Sequence, residues 1–590
     1  MEKSLPTTAS PPQSATRTST SHRALTFSLL SFAFAFYLIA PSFVPHIVPS
    51  GYIDSKHSIS QQPQCAQPPA EPAWSTSSQK MKDAYEYLSS SEFRNSSITR
   101  LSDAVRIPTQ SYDNMGAIGE DKRWDIMYDF AKYLESAFPA VHKHLKVEKV
   151  NTHGLIYTWE GSDSSLKPTL LMAHQDVVPV PDSTVDAWTH PPFEGVYDGK
   201  FVWGRGASDC KNQLIGIMST MTALLEGEFE PKRTIVLSFG FDEEISGRQG
   251  AGHLAPFLLE RYGNDGIAAI VDEGATFEDA WGTTFAKPGV AEKGYTDVSI
   301  VVRMPGGHSS IPSDHTSIGV ASEIITAIES QQYQTFLDDE NPYLSQLHCG
   351  AEHSPDFPTK LKALLKARSL THSLSGNICT RKPDLLALEA AEAGPATKYL
   401  MQTSQAVDVI TGGVKVNALP ERTEVTVNHR INIGETPRTA WDRLTKLIQP
   451  LAEKYNLSLH AFPSHPEESP RSITLTASET TLDVAPVTPT DAHSVYNLLA
   501  RVTRALYGEH IVVAPGIMTG NTDTRYYWQL TRNIFRFGPG WDPEGDEGLG
   551  NIHTVDERVS VRGHVNGVKW FWGWVLSLDQ AGDQEDKWGV

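Results

Sequence analysis

Cysteine is scarce, with four residues in 590, and none of them falls in a Cys-x-x-Cys or zinc-finger spacing, which sets thiolate metal sites of those kinds aside. Positive charge is also in deficit. With 50 Lys and Arg against 70 Asp and Glu the formal net charge is -20, so neither a nucleic acid nor an anionic membrane surface would be attracted to the chain. No internal repeat is evident, and nothing points to a repeat architecture. At 590 residues the chain is long enough for large cores and too long for one ordinary domain, so two folded domains are expected.

Charge is missing altogether from Ala24 to Ala40, and the uncharged run continues past Pro41 to Val44. It exceeds the apolar core of a signal peptide and approaches the length needed to span a bilayer. Lys3, Arg17 and Arg23 precede it, so an uncleaved single-pass anchor at 24–44 would leave residues 1–23 in the cytosol and carry the rest into a lumen. The alternative is a cleaved signal and a secreted protein. Residues 45–75, rich in Pro, Gln and Ser, read as a tether. Asn95-Ser-Ser97 and Asn456-Leu-Ser458 are glycosylation sequons, in keeping with a lumenal chain. Among the cysteines, Cys349 and Cys379 fall in one segment and could pair in an oxidising compartment.

What is present is a set of acidic and imidazole groups at the ends of apolar runs. Thr169-Leu-Leu-Met-Ala173 ends at His174, Arg233-Thr-Ile-Val-Leu-Ser-Phe-Gly-Phe241 ends at Asp242-Glu-Glu244, and Ile267-Ala-Ala-Ile-Val271 ends at Asp272. Continuous apolar runs alternating with helical stretches predict buried parallel strands, whose polar residues gather at the carboxyl ends. Asp209 lies in Trp203-Gly-Arg-Gly-Ala-Ser-Asp-Cys-Lys-Asn212, just before a stretch with apolar residues at helical spacing from Leu214 to Leu225. Alone it reads as a helix N-cap. With His174, Glu244, Asp272 and His553 in Asn551-Ile-His-Thr-Val-Asp-Glu557, however, it completes two imidazoles and three carboxylates, an inventory suited to two zinc-like ions sharing one carboxylate.

These segments, together with Leu101-Ser-Asp-Ala-Val-Arg-Ile-Pro-Thr109, Trp188-Thr-His-Pro-Pro-Phe193, Gly306-Gly-His-Ser-Ser310 and Gly520-Asn-Thr-Asp-Thr-Arg525, resemble the M20 family of metallopeptidases, and within it the carboxypeptidase S (Gly-X carboxypeptidase) group. The resemblance implies an α/β, phosphorylase/hydrolase-like zinc-peptidase catalytic domain with a mixed central sheet, split into residues 76–291 and 483–590. An inserted α+β lid of the dimerisation type would occupy 292–482, where Thr296–Arg303 and Glu424–Ile431 alternate polar and apolar residues as half-exposed strands.

It also implies two Zn2+ per subunit, one on His174, Asp209 and Asp272 and the other on Asp209, Glu244 and His553, with a cis peptide bond after Asp209. Glu243 would be the general base and Asp176 the residue that fixes the His174 imidazole. His308, Asn417 and Arg430 match positions that contact substrate, and Arg525 is a further candidate; Asn428 stands where the family has an acidic residue two before the Arg. The implied activity is removal of a C-terminal residue from short peptides, with Gly as a candidate penultimate residue, in a vacuolar lumen by a membrane-anchored enzyme that is compatible with a homodimer. The alternatives are an amidohydrolase of N-acyl amino acids and a membrane receptor that keeps the peptidase fold without activity. Residues 331–401 exceed what a minimal lid needs, and the sequence gives no role for them.

Overall fold

The structure, a computed structural model, describes residues 64–72, 78–374, 383–465, 468–545 and 550–581. The proposed anchor at 24–44 and Cys379 lie outside the described residues, and among those described no helix is long and apolar enough to cross a membrane.

The apolar runs do form buried strands. In chain order the first part of the molecule supplies β1 (Lys146–Val150), β2 (Gly154–Trp159), β3 (Thr169–His174), β4 (Ile235–Gly240), β5 (Ala269–Ala275) and β6 (Gly289–Glu292). An inserted region then contributes β7 (Gly294–Arg303), β8 (Ser404–Gly412), β9 (Arg422–Ile431), β10 (Ser458–Ala461) and β11 (Ser472–Ala477), after which the chain returns with β12 (Gly516–Met518) and β13 (Ile534–Phe537). The central sheet has eight strands in the order β1-β2-β4-β3-β5-β13-β6-β12. Its middle is parallel, β4 with β3, β3 with β5 and β5 with β13, while β1, β2 and the β13–β6 pair run antiparallel. This is the expected mixed sheet.

Every residue of β3 and β4 is buried, because helices cover both faces of the sheet. On one face lie α1 (Lys211–Glu226) and the C-terminal helix Val561–Ala581, in a core holding Leu214, Met218, Trp570 and Trp574. The helix Ala251–Tyr262 covers the other face through Leu254 and Leu258. The parallel strands therefore deliver their carboxyl ends to one edge, and that edge carries the site.

The inserted sheet, β8-β9-β7-β11-β10, is antiparallel except for its β10–β11 pair. Its β9 alternates strictly between buried and half-buried residues, so one face packs on the helices Ser317–Glu329 and Pro437–Lys454 and the other stays open. Residues 331–374 and 383–401 build a separate small helical layer, including α2 (Pro342–His353), with its own core of Leu347, Phe357, Leu361 and Met401 against Trp281 and Ile517 of the central part.

The cysteine pairing differs from the expectation. Cys65 and Cys349 form the disulfide. Segment 64–67, inside the stretch expected to be a tether, is held against α2 and the chain near Val513: Glu352 accepts from the Gln64 and Cys65 amides, and Gln67 exchanges two hydrogen bonds with Val513. Distance along the chain, which suggested Cys349 with Cys379, says nothing about which segments dock.

Candidate metal centre and active site

Asp209 and Cys210 are joined by a cis peptide bond just ahead of α1, which packs against α3 (Val561–Ala581). The loop before it is held by buried Glu557, whose Oε1 accepts from the amides of Gly206, Ser208 and Asp209 at 3.0, 3.0 and 3.1 Å while Oε2 accepts from Arg205 at 2.6 Å. Asp209 is thus aimed by a carboxylate 348 residues further along the chain.

Its two oxygens face different partners. His174 Nε2, at the end of β3, lies 3.1 Å from Asp209 Oδ1 and 3.4 Å from Glu273 Oε1. His553 Nε2 lies 3.0 Å from Asp209 Oδ2 and 3.1 Å from Glu244 Oε2. Two donor groups able to hold a metal result, one containing His174, Asp209 and Glu273, the other Asp209, Glu244 and His553, with Asp209 common to both. Cys210 also borders the first group, but its Sγ accepts from the His174 amide at 3.2 Å, and burial keeps the thiol protonated by pushing its pKa well up.

Glu273, and not the expected Asp272, reaches this centre. The apolar run was expected to stop at Val271, but β5 continues to Ala275, so consecutive side chains at 272 and 273 point to opposite faces. Asp272 belongs to neither donor group, and burial raises its pKa to about 7 against the opposing Glu273 amide and His174 charge.

Asp176 organises the floor of the centre. Its backbone carbonyl lies 2.9 Å and its Oδ1 3.3 Å from His174 Nδ1, which directs Nε2 toward Asp209 and Glu273. The same carboxylate accepts from Ser111 Oγ at 2.7 Å and from the Glu243 and Glu244 amides at 3.1 and 3.2 Å. Asp176 therefore positions both the imidazole and the turn that carries the two glutamates. Glu243 belongs to neither donor group, yet faces the same cavity.

The electrostatics call for cations. Burial, followed by the charge of Asp209, pushes Glu273 well above the ordinary carboxylate range; burial and then Glu273 do the same to Glu243. Glu244 is raised to about 7 by burial and Asp209. Burial opposes ionisation of Asp209 as well, but the hydrogen bonds from His174 and His553 outweigh it and lower its pKa, and those to Asp209 and Glu244 lift His553 to about 10. Carboxylates crowded around two imidazoles at these distances are the donor set that divalent ions would neutralise.

Of the residues expected to touch substrate, Arg525 lies 3.9 Å from Glu243 and donates to the Thr522 carbonyl at 3.0 Å. Arg430, on β9, stacks over Tyr295 and donates to Asn521 Oδ1 at 2.9 Å. Asn521 lines the cavity, and its Nδ2 donates to the Lys293 carbonyl at 2.7 Å, where the inserted region begins. The acid absent at position 428 is supplied across the sheet: Asn428 donates to Asp297 at 2.8 Å, and the Asp297 charge acts on Arg430. His308 and Asn417 are not brought to the centre. They sit on an exposed ribbon pairing Gly307–His308 with Ala418–Leu419, where His308 Nδ1 accepts from the Ser310 amide and neither residue lines the cavity. Glu273, Asn521 and Glu557 were not singled out in the sequence. Asn521 and Glu557 stand in quoted segments and Glu273 directly follows Asp272, so the signal was there, but only the fold shows which neighbour faces inward.

The sequence profile of peptidase family M20/M25/M40 matches residues 170–576, spanning both donor groups. The chain belongs to peptidase family M20. It is a peptide hydrolase of the metallo-carboxypeptidase kind, similar to carboxypeptidase S of Saccharomyces cerevisiae, with 42% identity over 503 residues covering 83% of this chain and 85% of the relative. A mouse (Mus musculus) N-fatty-acyl-amino acid synthase/hydrolase is 30% identical over 81% of this chain and 87% of its own length. The M20 metallo-carboxypeptidase Sso-CP2 from Sulfolobus solfataricus shares the fold at a TM-score of 0.53 and 16% identity, covering 82% of this chain and 99% of that one. The dipeptidase Dug1p from Saccharomyces cerevisiae does so at 0.55 and 15%, over 85% and 98%.

Proposed function

We propose that this M20 enzyme releases C-terminal residues from short peptides using two divalent ions, zinc by the mixed imidazole and carboxylate donors, held by His174, Asp209 and Glu273 and by Asp209, Glu244 and His553. The observation that carries this reading is the division of Asp209, with one oxygen toward each imidazole. Such ions, when bound, polarise the scissile carbonyl and lower the pKa of water. Glu243, beside both donor groups, accepts the proton of the attacking water and returns it to the leaving amine. Arg525 and Asp176 hold Glu243 in place through its carboxylate and its amide respectively.

The inserted region acts as the lid. Arg430 and Asn521 form the clamp for the free carboxylate of the leaving residue, since Arg430 is the lid cation that reaches the loop bordering the cavity. Hydrolysis of N-acyl amino acids uses the same clamp and remains the second reading, favoured by the named activity of the mouse relative. A homodimer would bring His308 and Asn417 of the exposed ribbon against a second copy. The Cys65–Cys349 disulfide supports an oxidising compartment, in keeping with a vacuolar lumen and an anchor at 24–44.

The test is a comparison of a good dipeptide with its C-terminal amide. Amidation should abolish most of the activity, because Arg430 is left unpaired in a partly desolvated cleft, a loss of roughly 2 to 5 kcal/mol. Arg430→Ala should make free and amidated peptides similarly poor. Discrimination as strong as in the wild type would move the clamp elsewhere, with Arg525 next in line.

A further inference from the structure

The cavity of about 280 Å³ at the donor groups continues away from them, between α1 and α3. Its walls there are Gly216 of α1 and Gly563, Gly567 and Phe571 of α3, with Gly538 and Gly540 opposite. Positions 563, 567 and 571 share one helix face, and eight residues at 1.5 Å each give this wall a span of about 12 Å along α3. Glycine inside a helix is costly relative to alanine, yet helix packing does not require it at two of these sites. A Cβ at Gly216 would come no closer than 3.9 Å to Val568, and one at Gly567 no closer than 3.5 Å to Gly540, both ordinary contacts. Both glycines line the cavity, so a methyl group at either would narrow it without a clash.

A second observation points to an occupant. His564 lies one residue beyond Gly563, lines the cavity and is only 4% exposed, yet its Nε2 has no hydrogen-bond partner among the described residues. Burial keeps the ring neutral by lowering its pKa to about 4, so one of its two nitrogens is an acceptor. Gly216, Gly538, Gly540, Gly563, Gly567 and Phe571 carry no charge, and the one acid beside them, Asp542, lies 3.7 Å from Arg562 Nε, whereas the cation assigned to the leaving residue's carboxylate, Arg430, approaches through Asn521.

We propose that this passage receives the acyl side of the substrate: an extended, uncharged chain that donates an N–H to His564 near the mouth and packs an apolar end against Phe571. The enzyme would then prefer peptides, or acylated amino acids with an internal amide, over plain alkanoyl amino acids of equal length. This rests on the hydrolase reading of the metal centre.

Three substrates with leucine as the leaving residue separate the possibilities: N-acetyl-leucine, N-heptanoyl-leucine and N-butanoylglycyl-leucine, the last two matched in chain length. The metal-loaded wild type should favour butanoylglycyl-leucine. In the Gly216→Ala/Gly567→Ala double variant, kcat/KM for both long substrates should fall at least about tenfold relative to acetyl-leucine, while the thermal midpoint holds or rises because alanine is the better helix former. His564→Leu should erase the ratio between butanoylglycyl-leucine and heptanoyl-leucine. If the wild type cleaves all three but filling the passage changes them by one common factor, or if His564→Leu leaves the ratio intact, the passage is not the acyl site. If the metal-loaded wild type cleaves none of them, the hydrolase reading fails and the proposal falls with it.

Discussion

The central and inserted sheets bury their residues in opposite ways. Strands β3 and β4 are buried at every position, whereas β9 alternates along its whole length. A strand covered on both faces has no place for a charged side chain until it reaches its end, so His174, Glu243 and Glu244 are forced to the carboxyl edge of the parallel strands. A half-exposed strand can carry polar residues anywhere on its open face. The central sheet thus concentrates chemistry at a single edge, while the inserted sheet disperses it, and only Arg430 of the latter is tied to the cavity, through Asn521.

If that contrast is correct, damage at the parallel edge should be far more severe than damage elsewhere. Glu243→Gln should lower turnover about a thousandfold or more with both ions retained, since it removes a proton acceptor and no ligand; metal analysis beside steady-state kinetics checks both halves. Loss of the ions with the activity would place Glu243 in the coordination sphere.

Next in size is a comparison within β5. Glu273→Gln should weaken one of the two ions by more than the roughly 10- to 100-fold that an outer partner is worth, and Asp272→Asn by less than that range. Competition with a chelating dye measures both. Equal losses would mean that the opposite pointing of the two side chains does not govern the site.

The smallest effect compares the sheets in acid. Burial lowers the pKa of His429, in β9, and of His564, in α3, to about 4 each, below the ordinary value of about 6.5. Both are neutral when folded and gain a proton more readily when unfolded. Their stabilisation is therefore complete above the unfolded pKa and is lost as pH falls through about 6.5 toward 4, by about 2 kcal/mol each at pH 5. His429→Phe should flatten the acid slope of the metal-free protein by that amount in denaturant titrations at pH 7 and pH 5. An unchanged slope would show that His429 is already solvated in the folded state.

The same contrast explains what could be read in advance. The parallel strands, and with them His174 and Glu244, were legible because the apolar runs have a fixed place to end, whereas Asp209 and His553 stand in loops and were marked by the donor inventory and the family resemblance. Asp272 was mistaken for Glu273 because β5 runs on past its last apolar residue, and from there the two-residue period of the strand decides which carboxylate faces inward. His308 and Asn417 stand on an exposed ribbon, where nothing in the local pattern says which surface they serve. Cys65 met Cys349 through the docking of segment 64–67, a long-range contact that leaves no periodic trace. The described residues of 331–401 form a helical layer with its own core against Trp281, which their length alone could not show.

The central claim is that one carboxylate is shared by two ions, and metal stoichiometry of Asp209→Ala tests it most directly. Elemental analysis of the purified, folded variant after equilibration with zinc should find both ions lost together, because the bridge offsets repulsion between two cations held close to each other. Retention of one ion at wild-type affinity would contradict the account.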